Sequence, residues 1–500
     1  MPRRRSAQGP GPGPFLSLKD APDSPIAAGA EAPEPDGWKD FLAEGRAARL
    51  ALITLGVWLN AADSLVTSTL MPTVGRALGG YAYFSWATAA YMIGAILSGA
   101  AAAKLCARLG LRRAMVIAGL ATAAGCAVSA LSPSMLALVG GRAVQGLGSG
   151  WIVGACYAAI GAMFPRRHIA RIFAVMTSVW GVATVLGPLI GGVFANGGLW
   201  RALFWFFGAQ ALAFVAAALA LLGPERSEDR ARVPFGQLVL VMLGVLLIAG
   251  ADLSGGVGAS ILLCALSLLA FAAAVRWKAA PGAGLFPRAA REPLHVVGAA
   301  YISYFALAAA SMGFSVYGPA LLQRLYGLSP LAAGYAAGLE SLGWTLAALS
   351  VASLSERWHG GFIRLGGGLV ALSLAALAVI MARGPLAAVL ILGTVMGAGF
   401  GFSSGFTGRK VIASAPAERE LASAGINSVR LIGSASGACL SGAIANLLGL
   451  ERGFSFEAAH AAAIWLFALA VPVALIGAAG AFRVAAAPEP PVGPAEADST

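Results

Sequence analysis

From Leu50 to about residue 483 the chain repeats one pattern, an apolar stretch of about 20 residues and then a short break rich in Arg, Gly or Pro. A helix of that length rises about 30 Å, the thickness of a bilayer's hydrocarbon core, and satisfies its own backbone hydrogen bonds there. The pattern predicts fourteen membrane-crossing helices, at about 48–72, 83–105, 112–132, 135–161, 171–195, 202–222, 234–252, 258–276, 295–322, 330–354, 361–382, 385–408, 420–448 and 458–483. Composition points the same way. A chain of 500 residues that folds in water carries charge on roughly a quarter of them, whereas here Asp, Glu, Lys and Arg make up 11% and hydrophobic residues 58%. Lipid is the solvent for most of this all-α chain.

The basic residues set the orientation. With the amino-terminal tail in the cytoplasm, the loops on that side hold Lys104, Arg108, Arg112 and Arg113, then Arg166, Arg167 and Arg171, and later Arg409, Lys410 and Arg419. The opposite loops hold Arg76, Arg201, Arg324, Arg383 and Arg452, one apiece. This is the positive-inside pattern of a multi-pass inner-membrane protein with both termini cytoplasmic, and a missed helix would invert it from that point on. The net charge of +12 does not indicate nucleic acid, because Lys and Arg form no basic patch interleaved with aromatics. Residues 1–47 and 485–500, rich in Pro, Ala and charge, are expected to be disordered tails. Arg3, Arg4 and Arg5 resemble the start of a secretion signal, but no apolar core follows them. Cys106, Cys126, Cys156, Cys264 and Cys439 are scattered, with no CxxC and no His at ligand spacing. Neither a disulfide framework nor a metal or other cofactor is expected.

An ionisable side chain at the centre of a membrane helix costs about 2.5–3.5 kcal/mol, so each one asks for a reason. Four stand inside apolar spans: Asp63, Arg142, Glu340 and Arg430. Three belong to polar stripes with i, i+3, i+7 spacing: Asn60, Asp63 and Thr67; Arg142, Gln145 and Ser149; Asn427, Arg430 and Ser434. Such stripes predict three helices facing a shared wet interior. Glu340 has no stripe, but Ala336, Ala337, Gly343 and Trp344 share its face, which suits a close-packed helix beside a cavity. Two readings stand side by side. In the first the charges are structural, with Asp63 pairing Arg142 or the long side chains reaching toward an interface. In the second, a carboxyl group held away from water can load and release a proton near neutral pH, which makes Asp63, Arg142 and Glu340 candidates for proton coupling. The second predicts that Asp63→Asn folds normally and loses coupled transport. Asn60, Thr67, Trp86, Tyr91, Gln145, Trp180, Tyr301, Tyr304, Asn427 and Arg430 are candidates for a substrate path. Their aromatics would stack on a flat or cationic organic molecule, or else anchor helices at the lipid interface.

One run is more specific. Gly181-x5-Gly187-Pro188-x2-Gly191-Gly192, followed by Trp200-Arg201, resembles the antiporter signature of the major facilitator superfamily. Its glycines let a helix approach its neighbour closely, and Pro188 bends it. Asp63 with Pro72 nine residues later resembles the first-helix motif of that superfamily's fourteen-helix drug:proton antiporter branch. Arg142-x2-Gln145-Gly146 resembles its fourth-helix motif, whose Arg is implicated in proton coupling. The resemblance covers nearly all of 48–483. It implies the major facilitator fold: a six-helix bundle at 48–222, a linker at 223–294 with two extra transmembrane helices, and a second six-helix bundle at 295–484. It also implies a carrier rather than an enzyme, whose partners are a small organic substrate, protons and the lipid bilayer; a monomer is expected.

The loop after the second helix departs from the family. The usual Gly-x3-Asp-Arg-x-Gly-Arg-Arg is here Ala103-Lys104-Leu105-Cys106-Ala107-Arg108-Leu109-Gly110-Leu111-Arg112-Arg113. Ala107 replaces the acid that, in the family, helps latch the cytoplasmic side. The equivalent loop of the second half, Glu356-Arg357-Trp358, retains an acid, so the latch is expected to lean on Glu356. Losing one contact of about 1 kcal/mol shifts state populations several-fold without preventing transport. Export of a drug or toxic metabolite by proton antiport is the leading expectation. Uptake of a small nutrient, for instance a vitamin such as riboflavin, is the alternative, since the altered loop and Glu340 are atypical of exporters. Gly401-Phe402-Ser403-Ser404-Gly405 fits a nucleophile elbow but lies inside a helix. Gly146, Gly148 and Gly150, like Gly397, Gly399 and Gly401, lack the βαβ surroundings of a dinucleotide loop and are expected to pack helices.

Overall fold

Fourteen long helices, and no strand, make up the body among the described residues. They are α1 (Arg46–Leu78), α2 (Trp86–Leu109), α3 (Leu111–Leu131), α4 (Met135–Met163), α5 (Ile169–Asn196), α6 (Trp200–Leu221), α7 (Phe235–Leu253), α8 (Val257–Arg276), α9 (Val296–Tyr326), α10 (Pro330–Val351), α11 (His359–Ile380), α12 (Leu386–Ala413), α13 (Arg419–Leu447) and α14 (Phe456–Ala486). The computed structural model describes residues 45–164, 168–223, 235–253, 256–277 and 284–488. The expected tail at 1–47 lies almost wholly outside them, as does most of that at 485–500. Twelve helices are long and apolar enough to cross a membrane. The other two are α7, whose apolar stretch Phe235–Ala251 is shorter, and α10, in which glycines, serines and Glu340 dilute the hydropathy.

Local chemistry sets the boundaries. Ser134, Ser329 and Ser455 cap α4, α10 and α14, each accepting a hydrogen bond from the backbone N–H three residues on. The joint between α2 and α3 is a single residue, Gly110, whose φ of 79° is open to glycine and strained for other residues. At the far end of α3, Arg201 donates from Nη2 to the carbonyl of Ser132 at 3.1 Å and lies over the Trp200 ring.

The packing repeats itself. In the first half α4 packs against α2 and α3, and α3 against α6; in the second half α12 packs against α10 and α11, and α11 against α14. The halves meet at two seams, α2 with α13 and α5 with α10. These exchange when α1–α6 is overlaid on α9–α14, which is the signature of a two-fold axis between two six-helix bundles. Equivalent glycines make the equivalent contacts: Gly146 and Gly150 on α4 meet the backbone of Tyr91 and Ala95 on α2, while Gly397 and Gly401 on α12 meet that of Glu340 and Trp344 on α10. Gly148 on α4 and Gly399 on α12 likewise meet backbone, of Thr122 and Gly366. A side chain at Gly146 would overlap the Tyr91 carbonyl, whereas Gly140 has open space around it. Gly146→Leu should therefore cost several kcal/mol, beyond the usual 1–3 kcal/mol of overpacking, and Gly140→Leu almost nothing. Monodispersity and yield on size-exclusion chromatography after expression would check this.

The two extra helices pair with each other, and α7 lies along the α2/α13 seam. Leu238, Val241 and Val245 of α7 join Ile96, Val429 and Ile432 in one apolar cluster. Gln237 anchors the linker, donating to Ala274 O at 3.0 Å and accepting from Leu285 N at 2.6 Å.

Candidate functional site

The stripes of α1 and α4 interlock. Arg142 Nη1 donates to both carboxylate oxygens of Asp63 at 2.8 Å, and to Gln145 Oε1 at 2.9 Å. Gln145 Nε2 closes the ring by donating to Asp63 Oδ1 at 2.8 Å. Arg142 Nε reaches the carbonyl of Ala87 on α2, and its Cζ sits 4.4 Å from the Tyr91 ring centroid. One turn along, Asn60 donates to the Tyr91 hydroxyl at 2.9 Å and to Ser149 at 3.0 Å, and Tyr91 donates to Ser149 at 2.7 Å. Asp63, Arg142, Gln145 and Ser149 are all at most 3% exposed. Here the expectation of a shared wet interior needs correcting. The α1 and α4 stripes face each other across a dry contact, because each can satisfy the other's donors and acceptors at lower cost than either could alone. Thr67, with its hydroxyl on the carbonyl of Asp63, is buried too.

Exposed polar groups lie elsewhere, and the two seams show where. Call distal the end bearing the α1–α2, α9–α10 and α13–α14 loops. There α5 and α10 touch closely: Gly192 abuts Leu331, and Pro188 lies against Gly334 and Gly338. Gly187 and Gly191 receive Leu65 and Thr69 of α1, while Gly181 has open space. At the same end Phe84, Tyr317 and Phe454 cluster with centroids 5.2–6.4 Å apart, the first two stacked, and Asn446 donates to Ala82 O at 2.9 Å. Toward the other, proximal end the same faces part. The α5 stripe that meets α10 distally continues as Trp180, Thr177 and Phe173, all exposed. On α13, Ser423, Ala424 and Asn427 are exposed as well, and so is Tyr157 of α4. The two bundles are sealed distally and open proximally.

Arg430 sits beside that opening. Its Nη2 donates to Asn427 Oδ1 at 3.0 Å, and its Cζ lies 5.7 Å from the Trp344 ring centroid; Trp344 is stacked on Phe400 at 5.1 Å. Glu340 accepts from Ser315 of α9 at 3.2 Å, and no described cation pairs with it. Of the other expected path residues, Trp180 lies at the opening. Tyr301 is buried, donating to Ala422 O at 2.8 Å, and Tyr304 donates to Ser404 O at 2.6 Å. Both bind helices together. Trp86 starts α2 beside Tyr83 at the distal rim. In the loops, Arg108 and Glu356 are exposed and Arg112 is half-buried; Glu356 makes no ion pair among the described residues. Ser403, centre of the apparent nucleophile elbow, spends its hydroxyl on Gly399 O at 3.0 Å.

Tyr157, Phe173 and Lys410 were not singled out by sequence. Tyr157 lies eight residues beyond Ser149 and extends its stripe, a signal that was present. Lys410, a loop charge by its place in the sequence, is buried at the end of α12, donating to the carbonyls of Val484, Ala485 and Ala487 at the end of α14.

Two pseudo-symmetric helical bundles around a one-ended opening define the architecture of a membrane transporter. A family model described as Major Facilitator Superfamily matches residues 53–408, and the chain belongs to that superfamily, a class of transporters and not of enzymes. Proteins from two strains of Mycobacterium tuberculosis, each named "Probable multidrug-efflux transporter", are 30% identical to it over 444 residues, 83% of this chain and 91% of theirs. Multidrug resistance protein 3 of Bacillus subtilis is 27% identical over 166 residues, 33% of this chain and 32% of that protein. Among solved structures, a bacterial homologue of the human lysosomal transporter Spinster, inward-facing and unoccupied, aligns with a TM-score of 0.63 at 15% identity, covering 89% of this chain and 97% of its own. A nucleoside transporter aligns with a TM-score of 0.61 at 14% identity, covering 87% and 99%. At such identities the likeness is one of fold. The protein is thus a multi-pass membrane transporter of small molecules.

Proposed function

We propose that this transporter exports drugs or toxic metabolites by proton antiport. The observation that carries the reading is the Asp63–Arg142–Gln145 ring, buried in a bundle that borders a one-ended opening. A proton placed on Asp63 removes the charge that holds Arg142. The guanidinium then needs another acceptor, and because Arg142 also holds Ala87 on α2, the change reaches the α2/α13 seam. Glu340, with only a serine for a partner among the described residues, is a second proton-carrying position. The bundles at 48–222 and 295–484 rock as units, in the manner of alternating access, as a monomer in the cell inner membrane. With both termini cytoplasmic, the proximal opening faces the cytoplasm, where an exporter loads. Gly187, Pro188, Gly191 and Gly192 form the distal closure; Arg108, Gly110, Arg112 and Glu356 belong to the opposite gate, parted in this state. The two tuberculosis relatives support efflux by their names. Uptake of a vitamin-like nutrient is a second reading, favoured by Ala107 at the usual acidic position and by Glu340.

Proton flux in proteoliposomes, recorded with an internal pH dye against a panel of antibiotics, dyes and vitamins, tests this. Substrate-dependent release of luminal protons is expected. No substrate-linked pH change anywhere in the panel would refute coupling. In cells, lowered substrate accumulation indicates export, and rescue of an auxotroph at low nutrient indicates uptake.

A further inference from the structure

Arg142 and Arg430 are both inside the membrane body, and their surroundings differ in a way that assigns them different work. Arg142 has a carboxylate, an amide oxygen and a main-chain carbonyl to bond. Among the described residues Arg430 has one hydrogen-bond acceptor, the side-chain oxygen of Asn427, and no carboxylate pairs with it. A guanidinium offers five N–H donors in a planar fork matched to carboxylate, sulfonate and phosphate. Glu340, the acid of neighbouring α10, is bonded to Ser315 instead. The groups that do surround Arg430 are aromatic. Trp344 lies beneath it on a stacked Phe400, and Tyr157 of α4 is exposed at the same opening. Tyr157 leads on to Phe173 at 6.0 Å between ring centroids, both about half exposed. The fork is therefore held by one bundle, the outlying aromatic wall by the other, and the opening lies between them.

We propose that Arg430 is the recognition point for an organic acid: an amphipathic molecule whose carboxylate, sulfonate or phosphate takes the free edge of the guanidinium while its flat apolar body lies against Trp344, Tyr157 and Phe173. This deepens the transport reading and rests on it for the route by which the acid moves. A carboxylate on the ligand completes the hydrogen bonds that Asn427 leaves unmade, and desolvation strengthens that pairing. A cation at the same place would meet Arg430 head on.

The test uses the full chain in phosphatidylcholine nanodiscs, with fluorescein as the anionic probe and ethidium as the cationic one, titrated by fluorescence anisotropy. Wild type should bind fluorescein at least about tenfold more tightly than ethidium. Arg430→Gln should weaken fluorescein by about tenfold or more, equivalent to about 1.4 kcal/mol, and should not weaken ethidium, whose repulsion by the guanidinium it removes. Arg430→Lys, which keeps the charge and loses the fork, should fall between, and serves if the Gln variant does not fold. Equal fluorescein affinity in wild type and both variants would overturn the proposal. So would a difference that appears only when phosphatidylglycerol is added to the discs, since Arg430 would then hold a lipid headgroup. Dye movement under a pH gradient in proteoliposomes separates the two readings. Arg430-dependent binding with no gradient-driven movement leaves the recognition site standing and sinks proton-driven transport; movement untouched by Arg430→Gln does the reverse.

Discussion

Asp63→Asn should abolish substrate-linked proton flux and also lower the melting temperature of the purified protein. The sequence alone suggested a substitution without consequence for folding. The structure argues otherwise, because Arg142 is 1% exposed and would keep its charge with only amide and carbonyl oxygens to face. Removing one partner of a buried ion pair costs about 3–5 kcal/mol in soluble proteins, more than the pair itself contributes. The informative comparison is therefore the double variant Asp63→Asn with Arg142→Gln. It leaves two neutral amides beside Gln145 and should regain most of the lost stability, a coupling of more than about 1 kcal/mol in a double-mutant cycle. Proton flux should stay at zero in the double variant. Thermal unfolding followed by tryptophan fluorescence, run with the flux assay, separates the roles. Recovery of flux along with stability would mean that the ring is structural only.

The second large effect is expected at the distal seal. A Cβ built on Gly192 falls 2.7 Å from that of Leu331 and 2.6 Å from its Cα, so α5 and α10 must part by about 1 Å here before a cysteine pair reaches the 3.5–4.5 Å that a disulfide requires. Gly192→Cys with Leu331→Cys should cross-link under mild oxidant and stop transport almost completely, since α5 and α10 belong to opposite bundles and must separate there if the molecule opens distally. Reductant should restore the rate. The native cysteines compete little, four of the five being buried. A cross-linked protein that still transported at the wild-type rate would show that this seam never opens.

Helix number and position were legible because a single physical constraint, backbone groups with no water to bond, dictates both. All fourteen predicted segments lie where helices occur, with ends a few residues longer at α1, α9 and α12 than hydropathy alone suggested. Those helices continue past their apolar cores into capping groups and loops, which a hydropathy count does not sense. The candidate site was legible in part. The i, i+3, i+7 spacing identified Asp63, Arg142 and Gln145 as members of polar stripes, and it even offered their pairing as one outcome. What it lacked was the partner of each stripe: two polar faces that meet look, one helix at a time, the same as two faces turned to water. Tyr91 shows the same limit. Its hydroxyl has a use only once Asn60 and Ser149 arrive from α1 and α4. For Lys410 the difficulty was reach, since a long side chain ended in three carbonyls of a helix more than 70 residues away in sequence.

The placement of α7 has a further consequence. Symmetry about the axis makes the two seams equivalent, yet α7 upholsters one of them with Leu238, Val241 and Val245, while α5 and α10 expose Val185, Leu186 and Leu346, and among the described residues neither linker helix makes a comparable contact there. The molecule therefore has a front and a back in the plane of the bilayer. The flank covered by α7 and the flank left to α5 and α10 thus present unlike apolar surfaces to the surrounding lipid.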